Sequence, residues 1–301
     1  MKRAATLLMA SMLAFSLVAC GGGGGSEVQK PTEVSSEAGE QSEEKTAEEN
    51  PTKTAEATIE ETVLLDDAGV KVTAKSLGSG WMGPELTLLI ENNSGKTLTF
   101  QCRNSSVNGY MCENMMSCDV ADGKKANDTL SFSANQLQLS GVENIAEMQF
   151  SLHVFDTNTW EDYYDSSLIT LKTSIADSFE QTYDDSGDVC YDDGGIKIVV
   201  KGLSTADSWL GPSVIVEVIN TSDTDITVQT RDVSINGFMI SPLFSTDVGA
   251  GKRAVNGVTF ASYDLEANGI ETIESVELSF HVFDMHSWND IVDTDTVTIN
   301  F

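Results

Sequence analysis

From residue 62 onward the apolar residues fall at alternate positions or in short continuous runs, the spacing of strands rather than helices. Val70-Lys71-Val72-Thr73-Ala74 and Thr129-Leu130-Ser131-Phe132 alternate and predict half-buried strands. Leu86-Thr87-Leu88-Leu89-Ile90 is more continuously apolar and predicts a central strand. Asn108-Gly109 and Asn236-Gly237 lie between β-prone runs, a strong hairpin signal because both turn residues must accept positive φ. Pro84 and Pro212 lack a backbone donor and suit strand starts. Only the stretches near Gln136 to Ile145 and Asp264 to Ile273 predict a helical turn or crossover.

The pattern is written twice. Trp81-Met82-Gly83-Pro84 returns as Trp209-Leu210-Gly211-Pro212, and Val107-Asn108-Gly109-Tyr110-Met111 as Ile235-Asn236-Gly237-Phe238-Met239. Gly123-Lys124-Lys125-Ala126 returns as Gly251-Lys252-Arg253-Ala254, and Leu152-His153-Val154-Phe155-Asp156 as Phe280-His281-Val282-Phe283-Asp284. One constant offset relates all four pairs. Gly69-Val70-Lys71-Val72 matches Gly195-Ile196-Lys197-Ile198 at an offset two shorter, which places an insertion in the loop before Trp209. Each copy is about 110 residues, the size of an independent domain. About seven or eight short strands per copy predict an all-β chain of two tandem immunoglobulin-like β-sandwich domains, with a jelly roll or small barrel as alternatives. The expected boundaries are 62–174 and 189–301, joined by an acidic linker, 175–188.

The beginning differs. Met1-Lys2-Arg3 and an uncharged apolar run, Ala4 to Ala19, have the layout of a secretory signal, and the run is too short for a stable membrane span. Leu17-Val18-Ala19-Cys20 resembles a bacterial lipobox, which implies cleavage after residue 19 and a covalent lipid on Cys20; an ordinary signal with a chance cysteine is the bland alternative. Residues 20–61 are rich in Gly, Ser, Glu and Thr without an aromatic residue, and read as a disordered tether with an r.m.s. span of roughly 35 Å, a solvated helix through Ser42 to Glu49 being the alternative. Lys+Arg 17 against Asp+Glu 47 gives a net charge of -30, a surface that repels nucleic acid and anionic headgroups.

With its lipobox, acidic tether and two repeats, the chain resembles the tandem immunoglobulin-like lipoproteins of anaerobic Gram-positive bacteria. The Asn-Gly-Tyr/Phe-Met and Gly-Lys-Lys/Arg-Ala segments are the most specific part of the likeness. It implies a fold and an extracytoplasmic, membrane-anchored location, and it supplies no activity and no catalytic residues.

Besides Cys20 the chain has Cys102, Cys112, Cys118 and Cys190. If Asn108-Gly109 is a two-residue turn in an unbroken register, Ser105 faces Cys112 and Cys102 faces Met115, and no pair among Cys102, Cys112 and Cys118 is placed to bridge. Thr230, Ile240 and Thr246 take their places in the second copy, so Cys112 reads as a core thiol. A bulge near Met115-Met116 that joins Cys112 to Cys118 is the alternative.

Candidate ligand contacts are few. Trp81 and Trp209 could form platforms, although a shared packing role under their loops is the favoured reading. His153 and His281 should point away from the core set Phe150, Leu152 and Val154, beside Phe155 and Phe283, and no nucleophile and orienting acid completes a triad. Trp160 and Trp288 stand in acidic loops as further contacts. The Asp156 to Asp162 loop lacks the Gly and distal Glu of an EF-hand. Asp184, Asp185 and Asp188 in the linker are weak calcium ligands, with a solvated linker preferred. The expectation is therefore a non-enzymatic binding or assembly module with a protein or glycan partner and no cofactor beyond the lipid, the alternative being a spacer or envelope-complex subunit without its own ligand.

Overall fold

Alternating runs become strands throughout the computed structural model, which describes residues 57–205 and 210–301. Cys20, the signal segment, the tether up to residue 56 and Trp209 lie outside the described residues. The first repeat contains β1 (Thr62–Asp67), β2 (Val70–Ser79), β3 (Pro84–Asn92), β4 (Leu98–Val107), β5 (Tyr110–Met111) and β6 (Asn114–Met115). It continues with β7 (Ser117–Val120), β8 (Lys124–Phe132), helix α1 (Ala134–Leu139), β9 (Glu147–Asp156), β10 (Asp162–Asp165) and β11 (Ile169–Lys172). The second contains β12 (Asp188–Asp193), β13 (Ile196–Ser204), β14 (Ser213–Asn220), β15 (Ile226–Ile235), β16 (Phe238–Met239) and β17 (Ser245–Val248). There follow β18 (Arg253–Thr259), helix α2 (Ser262–Ala267), β19 (Ser275–Asp284), β20 (Asp290–Asp293) and β21 (Val297–Asn300).

The chain is all-β, in open, sandwich-like sheets. A five-stranded sheet runs β1-β2-β3-β8-β6. A ten-stranded sheet runs β10-β9-β4-β5-β18-β14-β13-β12, with β11 on β9 and β7 on β4. A six-stranded sheet contains β16-β15-β19-β20, with β17 on β15 and β21 on β19. Two apolar cores result, one around Leu88, Phe100, Phe132 and Phe150, the other around Val216, Phe260, Phe280 and Val282. Each such buried side chain contributes about 1.5–3 kcal/mol.

Asn108 (φ 49) with Gly109 (φ 85), and Asn236 (φ 50) with Gly237 (φ 84), make the expected two-residue turns, with Val107 opposite Tyr110 and Ile235 opposite Phe238. The Asn side chains add a reason for their place. Asn108 Oδ1 accepts from the amides of Ala146 and Glu147, and Asn236 Oδ1 accepts from those of Glu274 and Ser275. The repeated Trp-x-Gly-Pro is explained by its glycine. Gly83 and Gly211 have positive φ, and a Cβ there would lie 2.4 Å from the Phe132 carbonyl oxygen and 2.2 Å from that of Phe260.

The unbroken register does not hold beyond Cys112. Ser105 does accept from the Cys112 amide at 2.9 Å, but the chain then crosses to the opposite sheet as β6, where Asn114 pairs with Phe132. It returns as β7 with Cys118 opposite Phe100, a register one residue longer than a plain hairpin allows. Cys102 therefore no longer has Met115 as its partner. Cys112 and Cys118 lie opposite positions five residues apart on β4, roughly 16 Å, too far to bridge. Cys102, Cys112, Cys118 and Cys190 are free thiols, and Cys112 packs in the first core as Ile240 does in the second.

Burial pushes the Cys102 thiol up to about 12 and Cys112 to about 11; burial and the Asp128 carboxylate push Cys118 up to about 12. These three thiols are expected to react with a maleimide at pH 7 at least about tenfold more slowly in the native protein than in denaturant, because the thiolate is the nucleophile. Intact mass without reductant should show no loss of hydrogen; fast native labelling of all three would contradict their burial.

Candidate binding surface

The His-x-Phe-Asp segments end the long strands β9 and β19, whose core face carries Phe150, Leu152 and Val154, or Leu278, Phe280 and Val282. Period-two geometry turns His153 and Phe155, like His281 and Phe283, to the other face. Asp165 is the cross-strand neighbour of His153, and Asp293 that of His281. His153 Nδ1 lies 2.6 Å from Asp165 Oδ1, and Nε2 3.7 Å from Asp162 Oδ1. In the second repeat His281 Nδ1 is 2.7 Å from Asp293 Oδ1, and Nε2 3.5 Å from Asp290 Oδ1. An ionised carboxylate only accepts, so each Asp fixes its ring with Nδ1 as the donor.

A stack extends outward from each histidine. The His153 and Phe155 rings are 5.5 Å apart, and Trp160 stacks on Phe155 at 5.5 Å and 17°. The second copy repeats this with His281, Phe283 and Trp288, the last two at 5.6 Å and 17°. Both histidines are buried, whereas Trp160 is 71% exposed and Trp288 74%. The indoles are held by their turns. Asp156 accepts from the amides of Asn158 and Thr159 and pairs with Lys96 at 3.1 Å, and the Trp160 amide donates to the Asp156 carbonyl. Asp284 accepts from the amides of His286 and Ser287, and the Trp288 amide donates to its carbonyl. These amide hydrogen bonds hold the Asp156 and Asp284 carboxyls below the usual carboxylate range. Trp160 (φ 62) and Trp288 (φ 59) occupy the left-handed region, which costs a non-glycine residue about 1–3 kcal/mol and persists only where surroundings over-determine it. Each patch thus combines an exposed, rigid aromatic face with two carboxylates and a buried imidazole. Among the described residues no Ser, Thr or Cys side chain is hydrogen-bonded to either ring.

The other candidates fall elsewhere. Trp81 does not pack under its loop: it sits in the turn closed by the Gly80 amide on the Gly83 carbonyl and is 86% exposed. The turn is set by glycine and proline, which leaves the indole free. The patches themselves unite His153 with Trp160 and His281 with Trp288. Asp162, Asp165, Asp290 and Asp293 were not singled out as partners, although Asp-x-x-Asp two residues after each repeated Trp was a readable signal.

The linker aspartates have protein partners. Asp184 pairs with Lys201 at 3.5 Å, and Asp185 with Arg253. Hydrogen bonds from Ser186 hold the Asp184 carboxyl low, and the Arg253 guanidinium holds Asp185 low. Asp188 lies in β12 opposite Val200. A calcium ion on the first two would have to displace Lys201 and Arg253. Among the described residues no three His, Cys, Asp or Glu side chains are grouped to hold a metal, and no helix is long and apolar enough to cross a membrane.

The linker also clamps the junction between repeats. Tyr183 packs 5.5 Å from the Tyr110 ring, and the Arg253 guanidinium lies 4.2 Å above it. Arg253 reaches Glu217 at 3.1 Å and Lys201 reaches it at 3.5 Å, while Tyr110 donates to it at 3.3 Å. Glu217 is 1% exposed, so its carboxylate is met by these partners in place of solvent.

No family model and no curated protein matches the chain. Among solved structures, a protein of unknown function from Porphyromonas gingivalis W83 is similar at 12% identity over 77% of this chain and 100% of that one. Its TM-score of 0.20 carries no argument.

Proposed function

We propose that this chain is a membrane-anchored, extracytoplasmic lipoprotein that acts as a non-enzymatic binding module. In this reading Cys20 carries the lipid, the acidic segment after it is the tether, and two immunoglobulin-like domains present the patches. The lipobox resemblance supports the anchor, and a net charge of -30 disfavours direct contact with anionic headgroups. The observation that carries the binding reading is the duplicated stack. Trp160 and Trp288 are each strained, exposed and braced by a Phe beneath, an arrangement that costs stability and offers a flat apolar face beside carboxylate acceptors. Such a surface suits the C–H face and hydroxyl donors of a neutral or cationic glycan.

The test is a fluorescence titration of the full chain with soluble cell-wall glycan fragments. Binding should perturb indole emission in the parent, and Trp160→Ala with Trp288→Ala, followed by calorimetry because the reporting indoles are gone, should weaken it at least about tenfold, the loss of an aromatic anchor. Trp81→Phe should leave it unchanged. Binding that survives removal of both indoles, or no binding across neutral and cationic fragments, would overturn the proposal. The second reading, a spacer without its own ligand, is favoured by the rigid clamp at the repeat junction and predicts no response to any fragment.

A further inference from the structure

The junction between the repeats is made by the hairpin of repeat 1 and the β18 edge of repeat 2, and each repeat carries a copy of both halves. In the internal joint the hairpin of repeat 1 lies against the edge of β18: the Arg253 amide donates to the Gly109 carbonyl at 3.0 Å, and Arg253 pairs with Tyr110 in a parallel bridge. The outward face of repeat 2, with Val199, Glu217, Ile219 and Val255, is buried by this contact, and Val255 joins the first repeat's core. Tyr110 is 3% exposed. Among the described residues the corresponding hairpin of repeat 2 has no such cover: Phe238 is 48% exposed and Met239 69%. The corresponding edge in repeat 1 is also open. Strand β8 pairs with β3 on one side, but on the other side only its end meets β6, which among the described residues leaves Lys124 to Leu130 without a strand partner on that side. Beside it Leu89 is only half-buried on the outward face of β3.

We propose that copies of this chain associate head to tail, the Asn236–Met239 hairpin of one copy docking on the free edge of β8 and the outward face of β3 in the next. Two paired sequence changes fit that joint. Where the internal joint sets the Tyr110 hydroxyl on Glu217, the equivalent positions are Phe238 and Leu89, so hydroxyl and carboxylate are replaced together by an apolar pair. Where Lys252 donates to the Gln149 amide oxygen, the equivalents are Lys124 and Glu277, an ion pair. Lys124 and Glu277 are both exposed. One position opposes: Gln136 donating to Asn256 becomes Asp264 facing Asp128, so this joint is weaker than the internal one. The contact is heterologous, and each added copy presents a fresh hairpin and a fresh edge, which builds open runs rather than a closed pair. This surface lies at the opposite end of β15 and β19 from His281 and Trp288, so it does not rest on the proposed ligand site.

The test uses the full chain in membranes with a photo-crosslinking phenylalanine analogue at Phe238. Irradiation should give a ladder of dimers, trimers and larger species, with crosslinked peptides from β3 or β8 of another copy. Lys124→Glu should reduce the ladder about tenfold, because it places like charges opposite Glu277, and adding Glu277→Lys should restore it. Both positions are exposed, so loss of folding does not explain the first result. A monomer-only pattern, crosslinks confined to other proteins or lipid, a dimer joined through Phe238 of both copies, or a ladder indifferent to Lys124→Glu would each overturn the proposal.

Discussion

Arg253→Ala is expected to destabilise the chain by about 3 kcal/mol, because breaking one partner from a buried ion pair leaves an uncompensated charge. Arg253 serves Asp185, Glu217 and the Tyr183 ring at once, and burial of Glu217 makes its loss felt across the repeat junction. Lys201 still approaches Glu217, which keeps the cost at the lower end of what such deletions give. The comparison variant removes both charges. Glu217→Leu with Arg253→Leu and Tyr110→Phe, which also removes the hydroxyl that donates to Glu217, should fall within about 1.5 kcal/mol of the parent, since an apolar cluster can replace a buried ion pair nearly neutrally. Repeat 1 already carries Leu89 at the position of Glu217. Urea unfolding reads both. Equal losses in the two variants would show that packing, rather than the stranded carboxylate, dominates.

Asn220→Ala should cost about 2–4 kcal/mol, since each buried group stripped of its partner costs about 1–3 kcal/mol. Its buried Nδ2 donates to the carbonyls of Thr224 and Val248 at 2.8 and 2.9 Å, and Oδ1 accepts from the Ser222 amide at 3.0 Å. The side chain thereby fixes the turn after β14 and ties it to the end of β17. Asn92 does the same in repeat 1, donating to Lys96 and Val120 and accepting from Ser94. Asn220→Asp tests the donor separately, because it keeps the acceptor and removes the bonds donated to Thr224, Val248 and Gly249. A thermal melt in which Asn220→Ala shifts by less than a surface substitution would show that water replaces the amide.

How much of this was legible depends on the distance over which each feature is decided. The Asn-Gly turns were readable because positive φ at two successive residues is a demand made by the turn on its own residues. The outward direction of His153 and His281 followed from strand alternation alone. Their aspartate partners come from the next strand, so only the repeat of Asp-x-x-Asp hinted at them. Trp81 is 86% exposed rather than packed, and the nearby backbone approach accounts for the recurrence of Gly83 but not for that of the indole. The tether boundary also moves: the Thr58 carbonyl accepts from the Ser174 amide and Ile59 packs on the first core, so order begins before residue 62.

The sequence by itself determined the strands, the hairpin turns and the duplication, because pleat periodicity, turn conformation and repeated residues are local or self-comparing properties. Tertiary structure alone decided that β6 leaves its neighbour for the opposite sheet, that the acidic linker clamps Tyr110, Arg253 and Lys201, and that a ten-stranded sheet spans both repeats. An edge strand offers the same unpaired amides and carbonyls to any partner, and a carboxylate accepts from any cation within reach. Which one it meets is set by residues far away in the chain, whose arrival no local pattern records.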